Sequence, residues 1–229
     1  MARSPSKSAD AKSAKTKRGR GRPARLSRES IVEAGLALLE RTPGEPLTLS
    51  RVAEEVGAVP AALYRHVGSH DELLDGVLGL VLEGIRVEIR PRASWRTQVR
   101  DWMTAVRAQL LRYPAVVRLI GRSGRTSPAW LDATSVLVEI LEKAGLRGAK
   151  LARAHLWVAE STMGCILTEA SMPFHEQIAA ARKALPEMSE EARLRYAPLL
   201  PHLEAIDADA FFALVVDRTV AGLDDLVGG

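Results

Sequence analysis

The sequence predicts an all-α protein, with an N-terminal three-helix helix-turn-helix domain and a larger helical domain. Apolar residues recur at helical spacing along most of the 229 residues, and no segment clearly alternates like a strand. N-capping residues and prolines precede these apolar runs, as they do at helix starts. Between residues 47 and 74, two short helical segments flank a glycine turn.

The start and stop signals predict each helix in turn. Ser27 begins a helix over about 27–41, and Gly44 with two prolines marks the loop that follows. The fourth helix is expected over about 70–90, ended by Pro91. Later helices are expected at about 95–112, 114–120, 128–145, 148–170 and 208–226. Residues 121–127 are expected to form a flexible loop, and the proline-containing segment 171–206 to be irregular with one helix after Ser189.

Residues 47–74 carry the most informative pattern. Thr48 is a candidate N-cap, Gly57 a helix break and Pro60 the start of a second helix over 60–67. That helix can bury Leu63 and Val67 and expose Ala61, Ala62, Tyr64, Arg65 and His66. Ser69 and Glu72 form a predicted capping box that starts the next helix. Two short helices joined by such a turn indicate a helix-turn-helix, whose second helix enters the DNA major groove.

This motif, with Leu-Tyr-Arg-His-Val at 63–67 and Ser-His-Asp-Glu-Leu-Leu at 69–74, resembles the tetracycline-repressor (TetR) family of bacterial transcription regulators. The resemblance covers about residues 27–80. The alternative is a helical hairpin from an unrelated bundle, which has no reason to expose Tyr64, Arg65 and His66 together. The resemblance divides the chain into a disordered basic tail (1–25), a DNA-binding domain (26–72) and a ligand-binding and dimerisation domain (73–229).

The resemblance also implies the DNA contacts. Tyr64, His66 and Thr48 correspond to residues at the phosphate backbone, where hydroxyl and imidazole groups can donate. Base edges would face Pro60, Ala61 and Arg65, next to the exposed Ala62. Ser50 stands where the tetracycline repressor has a guanine-reading arginine, so the tetracycline operator should not be transferred. His70 replaces a lysine, which makes a phosphate contact there pH-sensitive.

The charge is concentrated at the N-terminus. Residues 1–25 contain nine basic residues and Asp10, a charge of +8, so the remaining residues carry −4 of the overall +4. Such a tail is expected to be disordered when free and to bind polyanions by counterion release. Arg18, Arg20 and Arg22 alternate with glycine before Pro23 and resemble an AT-hook core, which enters the A/T-rich minor groove. A generic basic tail remains the alternative.

The same resemblance implies a homodimer held by a four-helix bundle of the helices at 148–170 and 208–226. The stripes Leu156, Ala159, Met163, Leu167, Ala170 and Phe211, Leu214, Val215, Val220, Leu223 suit such a seam. The alternative is that both stripes face only the core of their own chain.

The effector site is expected among polar groups in the apolar stripe of the 148–170 helix. His155, Thr162 and Glu169 recur there every seven residues, near Met163. Trp102, Tyr113 and Trp130 are candidate walls of the same pocket. Each of these residues could instead serve ordinary core packing.

Several classes of protein are disfavoured. No apolar run reaches 18 residues, no signal-peptide apolar region follows the N-terminal basic residues, and Cys165 is the single cysteine, which suits the cytoplasm. No catalytic or metal-binding motif is present, so neither metal nor cofactor is expected. The sequence thus predicts a ligand-responsive DNA-binding regulator, a repressor released from a palindromic operator by a small molecule. The alternatives are an architectural DNA-binding protein driven by its tail, or a helical enzyme.

Overall fold

The computed structural model describes residues 26–123 and 127–228, and within them it contains helices and no strand, so the predicted fold class is confirmed. The helices are α1 (Arg28–Arg41), α2 (Leu49–Glu55), α3 (Pro60–Leu63), α4 (His70–Leu82), α5 (Trp95–Leu110), α6 (Pro114–Ser123), α7 (Pro128–Lys143), α8 (Gly148–Ser171), α9 (Phe174–Ala184), α10 (Glu190–Tyr196), α11 (Leu200–Glu204) and α12 (Ala208–Gly228). In this part of the chain no helix is both long and apolar enough to cross a membrane.

The N-terminal helices pack around α1, and their buried residues belong to the same apolar cluster as those of the later helices. Ser27 caps α1 by accepting from Ser30 N, and Thr48 caps α2 by accepting from Arg51 N at 3.3 Å. Ile31, Leu63 and Leu73 are fully buried where α1, α3 and α4 meet. Helices α1, α3 and α4 therefore each depend on the other two to bury an apolar face.

Helix α4 links this small domain to the rest of the molecule. It packs against α1 on one side and against α5, α6 and α7 further along. A Cβ at Gly76 would come within 2.7 Å of Val32 Cγ2, so the close approach of α4 to α1 requires glycine at residue 76. The expected boundary at 72/73 falls within α4, one continuous helix, and it stays a prediction.

Helices α5, α7, α8 and α12 form the larger core. Trp102 and Val106 of α5, Leu137 of α7, Val158 of α8 and Leu223 of α12 are all buried in it. Ser127 and Pro128 begin α7 as predicted, with Ser127 Oγ accepting from Trp130 N at 3.1 Å.

The prediction that the fourth helix runs to residue 90 was wrong, because α4 ends at Leu82. Gln109 of α5 donates from Nε2 to Val81 O at 2.8 Å and satisfies one of the last carbonyls of α4. Gly84 lies directly against that amide, so a side chain at residue 84 would require the Gln109 side chain to move. The chain then runs without helix to Trp95, and Gln98 holds it by accepting from Arg90 N at 3.1 Å.

The segment 171–206 is also more helical than expected. It contains α9, α10 and α11, joined by short 3₁₀ turns at Leu185–Glu187 and Ala197–Leu199. The prolines stand in the first turn of elements, where a missing N–H costs little, so they did not signal irregular backbone. The expected loop at 121–127 begins later than predicted, because α6 continues to Ser123, and residues 124–126 lie outside the described chain.

Candidate DNA-binding surface and effector pocket

The turn between α2 and α3 has the geometry of a helix-turn-helix. Gly57 has a φ of 67°, a left-handed conformation that favours glycine, and Ala58 N donates to Ala53 O at 2.8 Å. Pro60 occupies the first turn of α3, and the helical turn beyond it closes where Val67 N donates to Leu63 O at 2.9 Å. The short α3 is thereby fixed across the end of α2.

The outer face of α3 offers both apolar and hydrogen-bonding groups. Tyr64 is 55% exposed, and Pro60, Ala61 and Arg65 are exposed beside it. Ala62 and His66 are half-buried, whereas Leu63 and Val67 face the core as predicted. Pro60, Ala61, Tyr64 and Arg65 are therefore solvent-facing as predicted, but the predicted helix over 60–67 is shorter, because α3 ends at Leu63 and residues 64–66 form turns.

The other residues predicted to contact DNA lie around this surface and differ in their exposure and hydrogen bonding. Ser50 is exposed on α2, and Thr48 is half-buried with its hydroxyl engaged as the α2 cap. His70 is exposed at the start of α4, and its Nε2 donates to Leu47 O at 2.7 Å. Only Nδ1 of His70 remains to face a phosphate. Arg20 and Arg22 lie outside the described residues.

Val59 is a surface residue that sequence reasoning missed. It is the N-cap of α3, has an extended backbone with φ −90° and ψ 146°, and is 66% exposed. The proline that follows Val59 disfavours a helical backbone there and so favours this extended conformation. A bulky apolar residue before a helix-opening proline was the available signal. A valine methyl here can contact a thymine methyl.

Two arginines of the first three helices, Arg51 and Arg41, bind other residues of the protein and so have structural roles. Arg51 donates to Pro46 O at 2.7 Å and to Thr42 Oγ1 at 2.7 Å, and it pairs with Glu45. Arg41 of α1 forms a bidentate ion pair with Glu55 of α2. These contacts hold the loop between α1 and α2 against the motif.

The predicted capping box at α4 takes a modified form. Ser69 Oγ accepts from Glu72 N at 3.1 Å as expected. The Glu72 carboxylate, however, accepts from Gly68 N at 2.8 Å rather than from Ser69 N. Glu72 also contacts Arg28 of α1 at 3.5 Å, so this carboxylate joins the start of α4 to the start of α1.

A cavity of about 280 Å³ lies where α4 ends, between residues 85–87, α5 and α7. Its apolar wall is formed by Leu82, Ile85, Val87, Trp102, Ala129, Ala133 and Val136. Trp102 donates from Nε1 to Ala133 O at 3.3 Å, so its ring contributes only apolar surface. Glu83, Arg86 and Asp132 supply the ionisable groups. The volume lies near the lower end of the roughly 300–1,000 Å³ usual for small-molecule sites. We call this cavity the α4 pocket.

The tryptophans predicted as pocket walls lie together. The ring centroids of Trp102 and Trp130 are 6.4 Å apart, a distance typical of packed aromatic pairs. Tyr113 is half-buried and packs against the core. Trp102 itself lines the α4 pocket, whereas the contacts of Tyr113 indicate a role in core packing.

The polar stripe on α8 is spread along the helix. His155 and Glu169 are fourteen residues apart, about 21 Å along the axis, which is too far for one small ligand to reach both. Thr162 is buried and donates to Val158 O at 2.7 Å, while Met163 is half-buried against the core. The Glu169 carboxylate accepts two hydrogen bonds from Arg107, both at 2.9 Å, and borders a separate cavity near α9.

His155 differs from its neighbours in having an unsatisfied group. Its Nε2 is buried and has no hydrogen-bond partner among the described residues. Burial lowers the pKa of His155 below the ordinary value, because a charged imidazole loses hydration there. Among the described residues, no group of three or more His, Cys, Asp or Glu side chains is arranged to hold a metal ion.

Helices α8 and α12 leave apolar side chains uncovered. Leu156 and Trp157 of α8 are 57% and 51% exposed, and Phe211 and Leu214 of α12 are also exposed. We call these four residues the α8–α12 face. The predicted stripes overlap this face in part: Leu156, Phe211 and Leu214 belong to both, whereas Ala159, Ala170, Val220 and Leu223 are buried within the chain. Helix α8 packs on several neighbours at once, so its buried face is wider than a single stripe.

Comparisons with known proteins agree with this architecture. The family model "Tetracyclin repressor-like, C-terminal domain" matches residues 90–227. An HTH-type transcriptional regulator of Saccharopolyspora erythraea is 28% identical over 205 residues, covering 89% of this chain and 86% of that protein. Tetracycline repressor protein class D of Escherichia coli is 26% identical over 203 residues, covering 88% and 90%. The structure of ActR of Streptomyces coelicolor in complex with actinorhodin has a TM-score of 0.76 at 23% identity, covering 90% of this chain and 100% of ActR.

The exposed helix-turn-helix and the separate helical body define a DNA-binding transcriptional regulator with a ligand-binding domain. The chain belongs to the tetracycline-repressor family, because the family model matches more than half of its length. The family that the motif resembles is thereby confirmed, and the two relatives extend the match to 88–89% of the chain. The likeness to ActR supports the fold.

Proposed function

We propose that this protein is a homodimeric repressor that binds a palindromic operator and is released from it by a small molecule. One observation carries the proposal: α4 begins seven residues after α3 ends, its His70 bonds to Leu47 O just before α2, and its other end lines the α4 pocket with Gly79 and Leu82. A ligand in that pocket contacts the helix that positions the DNA-reading surface. The cytoplasm, where chromosomal DNA lies, is the proposed site of action.

On the DNA side, charge and polarity suggest separate roles. Tyr64, His66 and Thr48 would donate to phosphates, with Nδ1 of His70 available in its protonated form. Arg65 would read a guanine edge, and Ser50 could add a polar base contact from α2. Val59, Pro60, Ala61 and Ala62 form an apolar surface that suits thymine methyl groups. The operator should therefore combine guanine with neighbouring thymines in each half-site.

A second copy of the chain is the proposed cover of the α8–α12 face. Antiparallel pairs of these helices from two chains would form a four-helix bundle, the usual way to bury apolar surface on two adjacent helices. A two-fold dimer would set its α3 helices in successive major grooves, about 34 Å apart. The operator would then be a palindrome with half-sites one helical turn apart.

The chemistry of the α4 pocket suggests the effector class. Its wall is mostly apolar, and Arg86 and Asp132 at its edge could orient a polar group of a compact, largely apolar molecule. Four of the predicted effector residues belong to the core around α8, so their effect on the ligand would be indirect. They are Met163, Thr162, Tyr113 and His155. The ligand can release DNA only as far as it prefers the conformation that does not bind DNA.

The experiment is a selection of bound sequences from random DNA, followed by release assays with compounds on the selected operator. The proposal expects one palindrome bound at least about 10³-fold more tightly than bulk DNA. It also expects a releasing compound to lose its effect when Val136→Trp fills the α4 pocket. Binding without sequence preference would instead support an architectural protein driven by its tail, with Arg20 and Arg22 as the main contacts.

A further inference from the structure

An acidic concavity among the described residues follows α4 along the joint between the two domains. It has a volume of about 630 Å³ and is bounded by α1, α4 and the first turn of α7. Glu29 and Glu33 of α1 face it together with Glu72, Asp75 and Glu83 of α4 and its boundary. Arg28 is the one basic residue in its described lining, so five carboxylates and one guanidinium give −4. We call this cavity the acidic groove.

Most of these carboxylates lack a cation among the described residues. Glu72 is engaged by Arg28 and by Gly68 N. No ion pair with a described residue involves Glu33, Asp75 or Glu83. Glu29 and Glu33 are also like charges four residues apart on one helix face, an arrangement that is unfavourable without a counter-charge. A basic segment lying in the groove would relieve this repulsion.

The chain carries such a segment next to the groove. Residues 1–25 contain nine basic residues and one acidic residue, and they lead directly into Arg28 at the groove edge. From Glu72 to Glu83 the groove follows eleven residues of helix, about 16 Å. The eight residues 18–25 contain four arginines and, when extended, span up to about 26 Å. The positive charge of residues 18–25, their extended length and the place where they join the described chain therefore all suit the groove.

We propose that residues 18–25 dock in the acidic groove when the protein is free, and leave it for phosphates when the protein binds DNA. Arginines held in the groove are not available for counterion release, so docking suppresses binding to DNA without an operator. The groove is lined by both domains, since α1 belongs to the first and Pro128 and Ala129 to the second. This competition rests on the proposed DNA-binding function, whereas docking itself does not.

Docking can be tested on the intact protein without DNA. A carbodiimide joins lysine amines to carboxylates in direct contact, and Lys15 and Lys17 lie just before the docking segment. We expect mass spectrometry to find these lysines linked to Glu33, Asp75 or Glu83, and the links to disappear in molar salt, because screening then weakens ion pairs. Tail links spread evenly over acidic residues elsewhere would overturn the proposal.

Competition between the acidic groove and DNA for the tail is tested by measuring how a set of variants binds DNA that lacks an operator. The groove variant carries Glu33→Gln, Asp75→Asn and Glu83→Gln, and the matched control carries Glu40→Gln, Glu142→Gln and Glu187→Gln, exposed carboxylates outside the groove. Relative to the control, the groove variant should raise the affinity of the full chain by about threefold or more at low salt. The same substitutions in a chain lacking residues 1–25, and hence the whole docking segment, should have no excess effect over the control.

The cross-linking experiment tests docking, and the affinity measurements test competition with DNA, so the two proposals can fail separately. Specific cross-links without any DNA affinity would leave docking standing and refute the proposed function. An equal effect of the groove substitutions with and without the tail would reflect only the changed charge of the domain, and would overturn the competition. Circular dichroism of each variant verifies that the fold is retained before either arm is interpreted.

Discussion

Tyr64 and Arg65 are exposed neighbours in the turn that directly follows α3, yet their chemistry suits different parts of a duplex. A phenol hydroxyl makes one hydrogen bond to a phosphate whatever the base sequence, whereas a guanidinium can bind two acceptors of guanine at once. The sequence identified both residues, and the structure added Val59, whose exposure depends on the backbone before Pro60. Recognition at this surface therefore combines polar contacts with apolar ones.

Replacing each residue should separate affinity from specificity. Tyr64→Phe removes one donor and should weaken binding to all sequences similarly, by about 1 kcal/mol. Arg65→Ala should weaken the best site more than its variants, since a bidentate base contact carries about 1–3 kcal/mol of discrimination. Titration of an operator and its single-base variants measures both effects. An unchanged ranking of sites with Arg65→Ala would show that Arg65 does not read bases.

His155 should make the stability of the protein sensitive to acid. Its folded-state pKa lies below the ordinary 6.5, because burial disfavours the charged ring. The unfolded chain therefore binds more protons as the pH falls below 6.5. The stability that neutral His155 provides is complete above that pH and is lost as the pH falls towards the lowered pKa.

The expected outcome is that His155→Leu loses less stability than the parent protein between about pH 7.5 and about pH 5. Chemical denaturation at each pH measures the free energy of unfolding. His175→Leu is the matched control, because His175 is an exposed histidine on α9. Equal acid sensitivity of both variants would mean that His155 does not contribute.

At the scale of the element, α4 shows how a distant contact ends a helix. Its apolar pattern continues past Leu82, which is why the sequence predicted a longer helix. The Gln109 amide donates to Val81 O and occupies the space beside Gly84. The end of the helix thus lies against α5, at the rim of the α4 pocket, where a ligand can act on it.

The α8–α12 face makes a prediction about assembly. Leu156→Glu and Leu214→Glu each place a charge in the proposed bundle, where an unpaired buried charge is costly. Because both leucines are at least half exposed within one chain, these changes should leave the fold of each chain intact. Light scattering should show a dimer for the parent protein and a monomer for both variants.

Leu131→Glu is the control, since Leu131 is 57% exposed on α7 and lies outside the α8–α12 face. It should remain dimeric. Leu167, although part of the predicted stripe, is half-buried against the core, and a charge there would disturb folding as well as assembly. A parent protein that is already monomeric at micromolar concentration would contradict the bundle.

At the scale of the whole molecule, charge is divided between a basic tail and a net-acidic body. Deleting residues 1–22 removes eight basic residues but none of the helix-turn-helix. The truncated protein should keep its operator preference but bind DNA more weakly at low salt. The slope of log affinity against log salt should become shallower by about 0.9 for each phosphate that the tail had neutralised.

The flanking sequence distinguishes the two roles considered for the tail. If Arg20 and Arg22 enter the minor groove, truncation should weaken operators flanked by A/T tracts more than those flanked by G/C, because only A/T tracts narrow that groove. Equal weakening on both flanks indicates a generic polycation. An unchanged salt slope would mean that the tail does not contact DNA.

The sequence by itself determined the fold class, the helix-turn-helix, the caps of the main helices and the surface residues of α3. These features depend on residues within about four positions of one another, so caps, prolines and apolar spacing encode them directly. The same local signals failed in 171–206, where prolines begin helices instead of interrupting them.

Only the tertiary structure decided where α4 ends, which apolar residues of α8 and α12 stay uncovered, and which of the seven candidate effector residues border a cavity. Glu169 does border a cavity, but Arg107, sixty-two positions earlier, binds both of its oxygens, which no local pattern indicates. The acidic groove likewise arises only when α1 packs along α4. Such features depend on contacts between residues far apart in the chain, and the packing that creates those contacts has no local signature in the sequence.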